Sequence, residues 1–323
     1  MLILAAAAAL LVHSVVPAPH GQVVQARIAT SSSVIPVDPR LLGPTAPPTP
    51  APLALDWLGQ HGQASLTIDS QSAILVDADT KEVVWARDER SRRPPASLTK
   101  MVTAMVAADL VSSFEQPITV PVEATTLESD STFMGLSPGE VVTVRDLMYG
   151  MFLVSGNDAA ETLARGLVTR ERFVQLMNGK AAALGMRDTH FTNPSGLDDP
   201  DLHTTAYDVA IAATTIATRY PAIMAVAGVK DHLLPGTPEH KTFFFHTLIK
   251  LIGAYPGATG LKTGYTDDAG YCLVGTATRG DRRLVVVLLG GDFGLTADAV
   301  KLLDYGFSQP RAVPFDPSTL PNV

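Results

Sequence analysis

Apolar positions along the chain change period several times, and each change marks an element. The runs Ser72-Ala-Ile-Leu-Val-Asp-Ala78 and Val83-Val-Trp-Ala86 flank Asp79-Thr-Lys81, a pattern that predicts an antiparallel hairpin. From Ser97 to about Leu110 the period lengthens, with Met101, Met105 and Val106 at helical spacing. Thr143 stands where an N-cap belongs, ahead of Leu147, Met148 and Met151. Helical patterns also cover Asp158 to Leu167, Arg170 to Leu184 and Asp208 to Thr218. Strand patterns return at Gly260 to Thr266, Tyr271 to Thr278 and Arg282 to Gly290, the last two joined by a turn at Arg279-Gly280-Asp281. Leu295 to Phe307 closes the pattern as an amphipathic helix.

Short turns between neighbouring strands predict an α/β chain of the α+β type. Its mainly antiparallel sheet is flanked by helices, with a helical block inserted between its halves. No repeat of roughly 20 to 50 residues interrupts this order. The expected unit spans residues 63–308, with a tail over 309–323.

The N-terminal part reads differently. Leu2 to Val12 is an unbroken apolar run, too short for the ~20 residues of a membrane-spanning helix and right for a secretory signal or a short anchor. No Lys or Arg precedes it. Residues 1–26 are therefore expected to direct export or tether the chain, which implies an extracytoplasmic location, secreted or at the cell envelope. Seven prolines fall between Pro36 and Pro52, so residues 27–62 are expected to form an extended spacer.

Composition narrows the function. With 24 Lys plus Arg against 32 Asp plus Glu, the net charge is −8, which argues against nucleic acid as a partner. The single cysteine, Cys272, offers neither an internal disulfide nor a thiolate cluster for a metal, and on an apolar strand it reads as a small core residue. Asp198, Asp199, Asp201 and His203 match no metal-ligand spacing and read as a solvated turn. Gly257-Ala-Thr-Gly-Leu-Lys-Thr263 lacks the glycine before the lysine, and the helix after it, that a phosphate loop needs. The Met and Phe clusters around Met148 to Phe152 and Phe243 to Phe245 read as packing. No metal or cofactor is expected.

Three short segments carry candidate chemistry: Ser97-Leu98-Thr99-Lys100, Ser155-Gly156-Asn157 and Lys262-Thr263-Gly264. Each alone has a bland reading: a helix start, a helix break and an edge-strand lysine. Together, in this order and on suitable elements, they are harder to dismiss. A serine at a helix start with a lysine one turn on places an amine beside a hydroxyl. The amine can take the hydroxyl proton if desolvation and nearby positive charge keep it neutral. Backbone N–H groups at the helix start can then face a developing oxyanion.

These segments, with Ala73-Ile-Leu-Val-Asp77, Asn193-Pro-Ser-Gly-Leu197 and Ala269-Gly-Tyr271, give the chain a resemblance to the penicillin-recognising serine enzymes. It looks most like the low-molecular-mass penicillin-binding proteins of the D-alanyl-D-alanine carboxypeptidase type, over roughly Ala73 to Phe307. The resemblance implies a β-lactamase/transpeptidase-like fold, with Ser97 as acylated nucleophile, Lys100 as general base and Ser155 as proton relay to the leaving amine. It further implies that Asn157 binds the substrate amide and that Lys262 and Thr263, followed by Gly264, hold its terminal carboxylate. The N–H groups of Ser97 and Tyr265 would form the oxyanion hole. Implied partners are peptidoglycan stem peptides ending in D-Ala-D-Ala, and β-lactams as covalent inhibitors. Where relatives often carry asparagines, this chain reads Phe243-Phe-Phe-His246, which leaves two roles open for His246 in the pocket: to replace an asparagine's hydrogen bonds, or to change the local pH behaviour through its imidazole.

Other activities stay open on sequence. A D,D-endopeptidase breaks the same kind of bond. A class A-like β-lactamase would carry Ser-Asp-Asn at the second segment and a water-activating glutamate, where this chain has Ser-Gly-Asn. A non-catalytic wall-binding module would have no need of a deprotonated lysine at a helix start.

Overall fold

A computed structural model describes residues 52–127 and 131–311, which fall in one compact unit. The expected signal or anchor over 1–26, most of the spacer and the tail lie outside the described residues. In chain order the elements are α1 (Asp56–His61), β1 (Ser72–Asp77), β2 (Val83–Arg87), α2 (Lys100–Leu110), β3 (Pro117–Thr119) and α3 (Val122–Thr125). Then come β4 (Val141–Thr143), α4 (Val144–Leu153), α5 (Asn157–Leu167), α6 (Arg170–Leu184), α7 (Ala206–Arg219) and α8 (Pro221–Ala227). The chain continues with β5 (Asp231–Leu234), β6 (Phe243–His246), β7 (Ala258–Thr266), β8 (Gly270–Arg279), β9 (Arg282–Gly291) and α9 (Leu295–Ser308).

The main sheet has the order β2-β1-β9-β8-β7, every pair antiparallel. Its central strands are apolar on both faces because both faces are covered. Ile74, Val76, Val285 and Val287 enter the core shared with the helical block, while Ala73, Leu75, Val286 and Leu288 pack with Leu302, Leu303 and Trp57. This strict alternation is the two-residue period of a strand between two layers. The helical block, α2 to α8, is inserted between β2 and β7 as its pattern implied. Thr143 caps α4 through its side chain, which accepts from Asp146 N, and Asp146 returns a bond to the Thr143 N–H.

The structure departs from the sequence reading in four places. Residues 27–62 were expected to be spacer, yet α1 falls in their last part, with Leu53 and Trp57 buried. Ala54 pairs with the β1–β2 turn, donating to Lys81 O and accepting from Val83 N. The expected helix from Ser97 is a 3₁₀ turn over Ala96–Thr99 that passes into α2 at Lys100. Ala96 carries a positive φ of 47° directly after Pro94-Pro95, so the chain enters through a tight corner. Two small sheets, β3-β4 and β5-β6, were not foreseen. Strands of three or four residues are too short to show a period.

Trp57 is 5% exposed on the side of the sheet that carries α9. Trp57→Ala should cost about 3–5 kcal/mol of stability, as large-to-small core changes do. Urea denaturation measures it, and a loss below about 1 kcal/mol would show that the α1 segment is not part of the packed unit.

Candidate active site

Each candidate side chain reaches a cleft of about 1090 Å³ between edge strand β7 and the helical block, either from its wall or from directly beneath it. Ser97, Ser155, Asn157, Thr263, Gly264 and Tyr265 line it. Lys100 and Lys262 lie beneath, both fully buried. Lys100 Nζ is 2.7 Å from Ser97 Oγ, 2.6 Å from Asn157 Oδ1 and 2.7 Å from Ser195 O. Lys262 Nζ donates to Ser155 Oγ at 2.9 Å and to Thr263 O at 2.7 Å.

Burial governs how these amines titrate. Desolvation, and next the positive charge of Lys262, hold Lys100 well below the usual lysine range, against a smaller upward pull from Asp158 and then Glu161. Desolvation alone brings Lys262 down to about 7. A neutral Lys100 has two N–H bonds and one lone pair. Asn157 Oδ1 and the Ser195 carbonyl can only accept, so they take the two N–H bonds. The lone pair then faces the Ser97 hydroxyl, which becomes the donor.

Close backbone approach holds this arrangement. A Cβ on Gly264 would lie 3.0 Å from Ser97 N and 3.1 Å from Ala96 Cβ, so any other residue there would press the 3₁₀ turn away from β7 by a few tenths of an ångström. Gly196, at φ +86°, backs onto the Ala96 carbonyl at a distance that no Cβ could share. Its loop folds around Asn193 Oδ1, which accepts from Ser195 N and Gly196 N, and is pinned to α2 by Thr103 Oγ1 donating to Pro194 O at 2.6 Å. This loop delivers the Ser195 carbonyl to Lys100. Along the chain Asn193 to Leu197 carries only a resemblance; folding gives it this part in the site.

Asp158 was read only as the start of a helix. It is 1% exposed, and its carboxylate accepts from the N–H groups of Met134, Gly135, Leu136 and Ala159 at 2.7–2.9 Å. Those bonds fasten the segment after residue 131 against Ser155, and Thr132 Oγ1 adds a bond to Ser155 O. The same packing explains the glycine in Ser-Gly-Asn. A Cβ on Gly156 would fall 2.7 Å from Met134 N and 2.8 Å from Asp158 Oδ1, so no aspartate fits. Ser155 itself sits at φ +62°, a strained conformation for a non-glycine residue.

Residues 59–293 match the family described as D-alanyl-D-alanine carboxypeptidase. The chain belongs to that family. It is 33% identical over 258 residues to D-alanyl-D-alanine carboxypeptidase DacF of Bacillus subtilis, covering 78% of this chain and 65% of that one. A crystal structure of a D-alanyl-D-alanine carboxypeptidase from Mycobacterium tuberculosis superposes with a TM-score of 0.70 at 35% identity, over 77% of this chain and 96% of the other. The Streptomyces K15 DD-transpeptidase gives 0.71 at 27% identity, over 76% and 100%. The transpeptidase-like fold expected from the resemblance is therefore the fold this family member has.

Other expectations meet the structure unevenly. His246 does not line the cleft; it lies on β6 with its side chain 60% exposed and Nδ1 2.6 Å from Asp231 Oδ1. The β6 alternation turns Phe243 and Phe245 inward and sends Phe244 and His246 to solvent. From that stretch Leu248 and Lys250 reach the cleft instead. Cys272 is buried, and burial pushes its thiol up to about 11, as suits a core residue. The acidic loop is a turn in which Asp199 Oδ1 accepts from Asp201 N.

Lys262 links titration to stability with a definite sign. Between pH 7 and 10 the unfolded chain keeps a proton on Lys262 that the folded chain has lost, so this residue adds stability as pH rises. Below pH 7 both states hold the proton and the burial cost is complete. The stability advantage of Lys262→Met over the native chain should thus shrink by up to about 1.4 kcal/mol per pH unit between pH 8 and 10. Paired chemical denaturation across that range measures it, and a pH-independent difference would mean that Lys262 titrates normally.

Proposed function

We propose that this protein is a serine-type D-alanyl-D-alanine carboxypeptidase that removes the terminal D-alanine from peptidoglycan stem peptides through an acyl-enzyme at Ser97. One observation carries the reading: a fully buried Lys100 amine whose two acceptor-only partners leave its lone pair to the Ser97 hydroxyl. Ser97 Oγ attacks the carbonyl before the terminal D-alanine while Lys100 takes the hydroxyl proton. The N–H groups of Ser97 and Tyr265 receive the negative charge that develops on that oxygen. Ser155 passes a proton to the leaving amine. Water then cleaves the ester with Lys100 again as base, and no metal or cofactor enters the scheme.

Asn157 Oδ1 is committed to Lys100, so its amide N–H donors remain for a substrate carbonyl. Lys262 lies under Ser155, and its charge supplies the positive potential that, with Thr263, holds the terminal carboxylate. β-Lactams present the same carboxylate and a strained amide, so they acylate Ser97. A peptidoglycan substrate and an apolar run over Leu2 to Val12 of the length of a secretory signal support an extracytoplasmic location, secreted or at the envelope.

Intact-protein mass after exposure to benzylpenicillin should show one covalent adduct that Ser97→Ala abolishes; an unmodified native chain would remove the proposal. Incubation with a stem pentapeptide, a cross-linked dimer and a chromogenic cephalosporin separates carboxypeptidase from D,D-endopeptidase and β-lactamase, with D-alanine release from the pentapeptide expected to dominate.

The pH dependence follows from Lys262, which is charged below about 7 in the free enzyme and loses its proton above it. The preference for a free terminal carboxylate over its methyl ester, as a kcat/KM ratio, should be largest below pH 7. It should decline above pH 7 by up to about tenfold per unit. A ratio constant from pH 6 to 9 would take the carboxylate away from Lys262.

A further inference from the structure

The proposed chemistry uses the Ser155–Asn157 end of the cleft and leaves a charged group farther along α5 without a part. Asn157, Glu161 and Arg165 stand at i, i+4 and i+8, so they form one stripe, and all three line the cleft. Glu161 is 4% exposed, and its carboxylate holds two guanidiniums through their Nε atoms: Arg165 at 3.1 Å and Arg170 at 3.0 Å. Within this cluster one buried negative charge faces two positive ones, while Glu123 and Glu171 stand exposed on the same cleft. Among the described residues the Nη atoms of both arginines meet no partner, and both side chains are about 30% exposed. Among the described residues the two forks are thus held at the base with their Nη ends unpaired, the form in which arginine receives carboxylates.

Direction along the cleft says which part of a substrate would meet them. Lys262 and Thr263 lie on the Ser155 side. A peptide with its terminal carboxylate there, its scissile carbonyl at Ser97 and an amide at Asn157 would continue along the α5 stripe, whose Glu161 and Arg165 line the same cleft. At about 1.5 Å rise per residue, Glu161 is about 6 Å and Arg165 about 12 Å beyond Asn157. An extended peptide covers about 3.3–3.6 Å per residue, so the forks fall two to four residues before the cleaved bond. Glu123 and Glu171, both exposed, line the same cleft and suit a group that carries an ammonium beside its carboxylate.

Building on the carboxypeptidase reading, we propose that Arg165 and Arg170, held by Glu161, form a subsite for a carboxylate on the substrate's second or third stem residue and so set which peptides are trimmed. Two sources share that chemistry: the free α-carboxyl of a γ-linked second-residue glutamate, and the side-chain carboxyl of a third-residue diaminopimelate.

The test compares pentapeptides ending in D-Ala-D-Ala with the second-residue α-carboxyl free or amidated, and with diaminopimelate or lysine third. The native chain should favour at least one carboxylate-bearing partner by about tenfold in kcat/KM, and the pair that differs identifies the source. In the triple variant E161Q/R165Q/R170Q, which leaves no buried charge unpaired, that preference should fall to about twofold or less. Arg165→Lys and Arg170→Lys keep a cation near Glu161 without the fork; should the triple variant not fold, they should show the same loss in part. Calorimetric binding of the corresponding tetrapeptides, which end at the acyl side, reads the subsite without turnover. A chain that releases no D-alanine but still discriminates among tetrapeptides would fail the carboxypeptidase reading and keep the subsite. No preference in the native chain, or one that survives in the variants, overturns it.

Discussion

The site depends on keeping two lysine amines out of water with no carboxylate bonded to either. Lys100 and Lys262 are among the largest fully buried side chains of the protein, and each meets only neutral oxygens: two hydroxyls, two carbonyls and one amide. A bonded carboxylate would restore their charge and leave the Ser97 hydroxyl facing an ammonium. Withholding that partner costs folding free energy, and the gain is an amine able to take a proton near neutral pH. Much of the surrounding architecture serves to make that arrangement affordable.

The sheet supplies the rigid edge. β1 and β9, apolar on both faces, lie between two layers of core and carry β8 and β7 outward, so that β7 presents Lys262 inward and Thr263 to the cleft. Gly264 and Gly196 let backbone approach from both sides of the 3₁₀ turn that bears Ser97. On the opposite wall, Asp158 uses its charge on four backbone N–H groups. Its upward pull on Lys100 ranks behind burial and the charge of Lys262. The strained φ angles of Ala96 and Ser155 sit where these close approaches converge, which is where packing can hold such conformations.

Much of this was legible along the chain. The hairpin of β1 and β2, the helices α4 to α7 and the final β7-β8-β9-α9 succession follow from period and turn chemistry, with edges within a few residues. The three segments with Ser97, Ser155 and Lys262 could be picked out because they occur together and in order, two at element boundaries and the third within strand β7. The small strands escaped because three or four residues define no period. The bland reading of Lys262 as an edge-strand lysine named the right strand, and burial changed its meaning. His246 misled because its position before the lysine–threonine strand is near in sequence, while β6 alternation sends its side chain to solvent.

By itself, then, the sequence determined the layer order, the family and the residue types that meet at the site, because period, turn chemistry and short segments are local properties of a chain. The tertiary structure decided what those residues are chemically. Whether Lys100 is a cation or a base depends on burial, on the Ser195 carbonyl 95 residues away and on the distance to Lys262. Whether Asp158 is a helix start or a clamp depends on a segment more than 20 residues upstream. Desolvation and charge coupling act through space, and no local pattern encodes the neighbours that folding brings together.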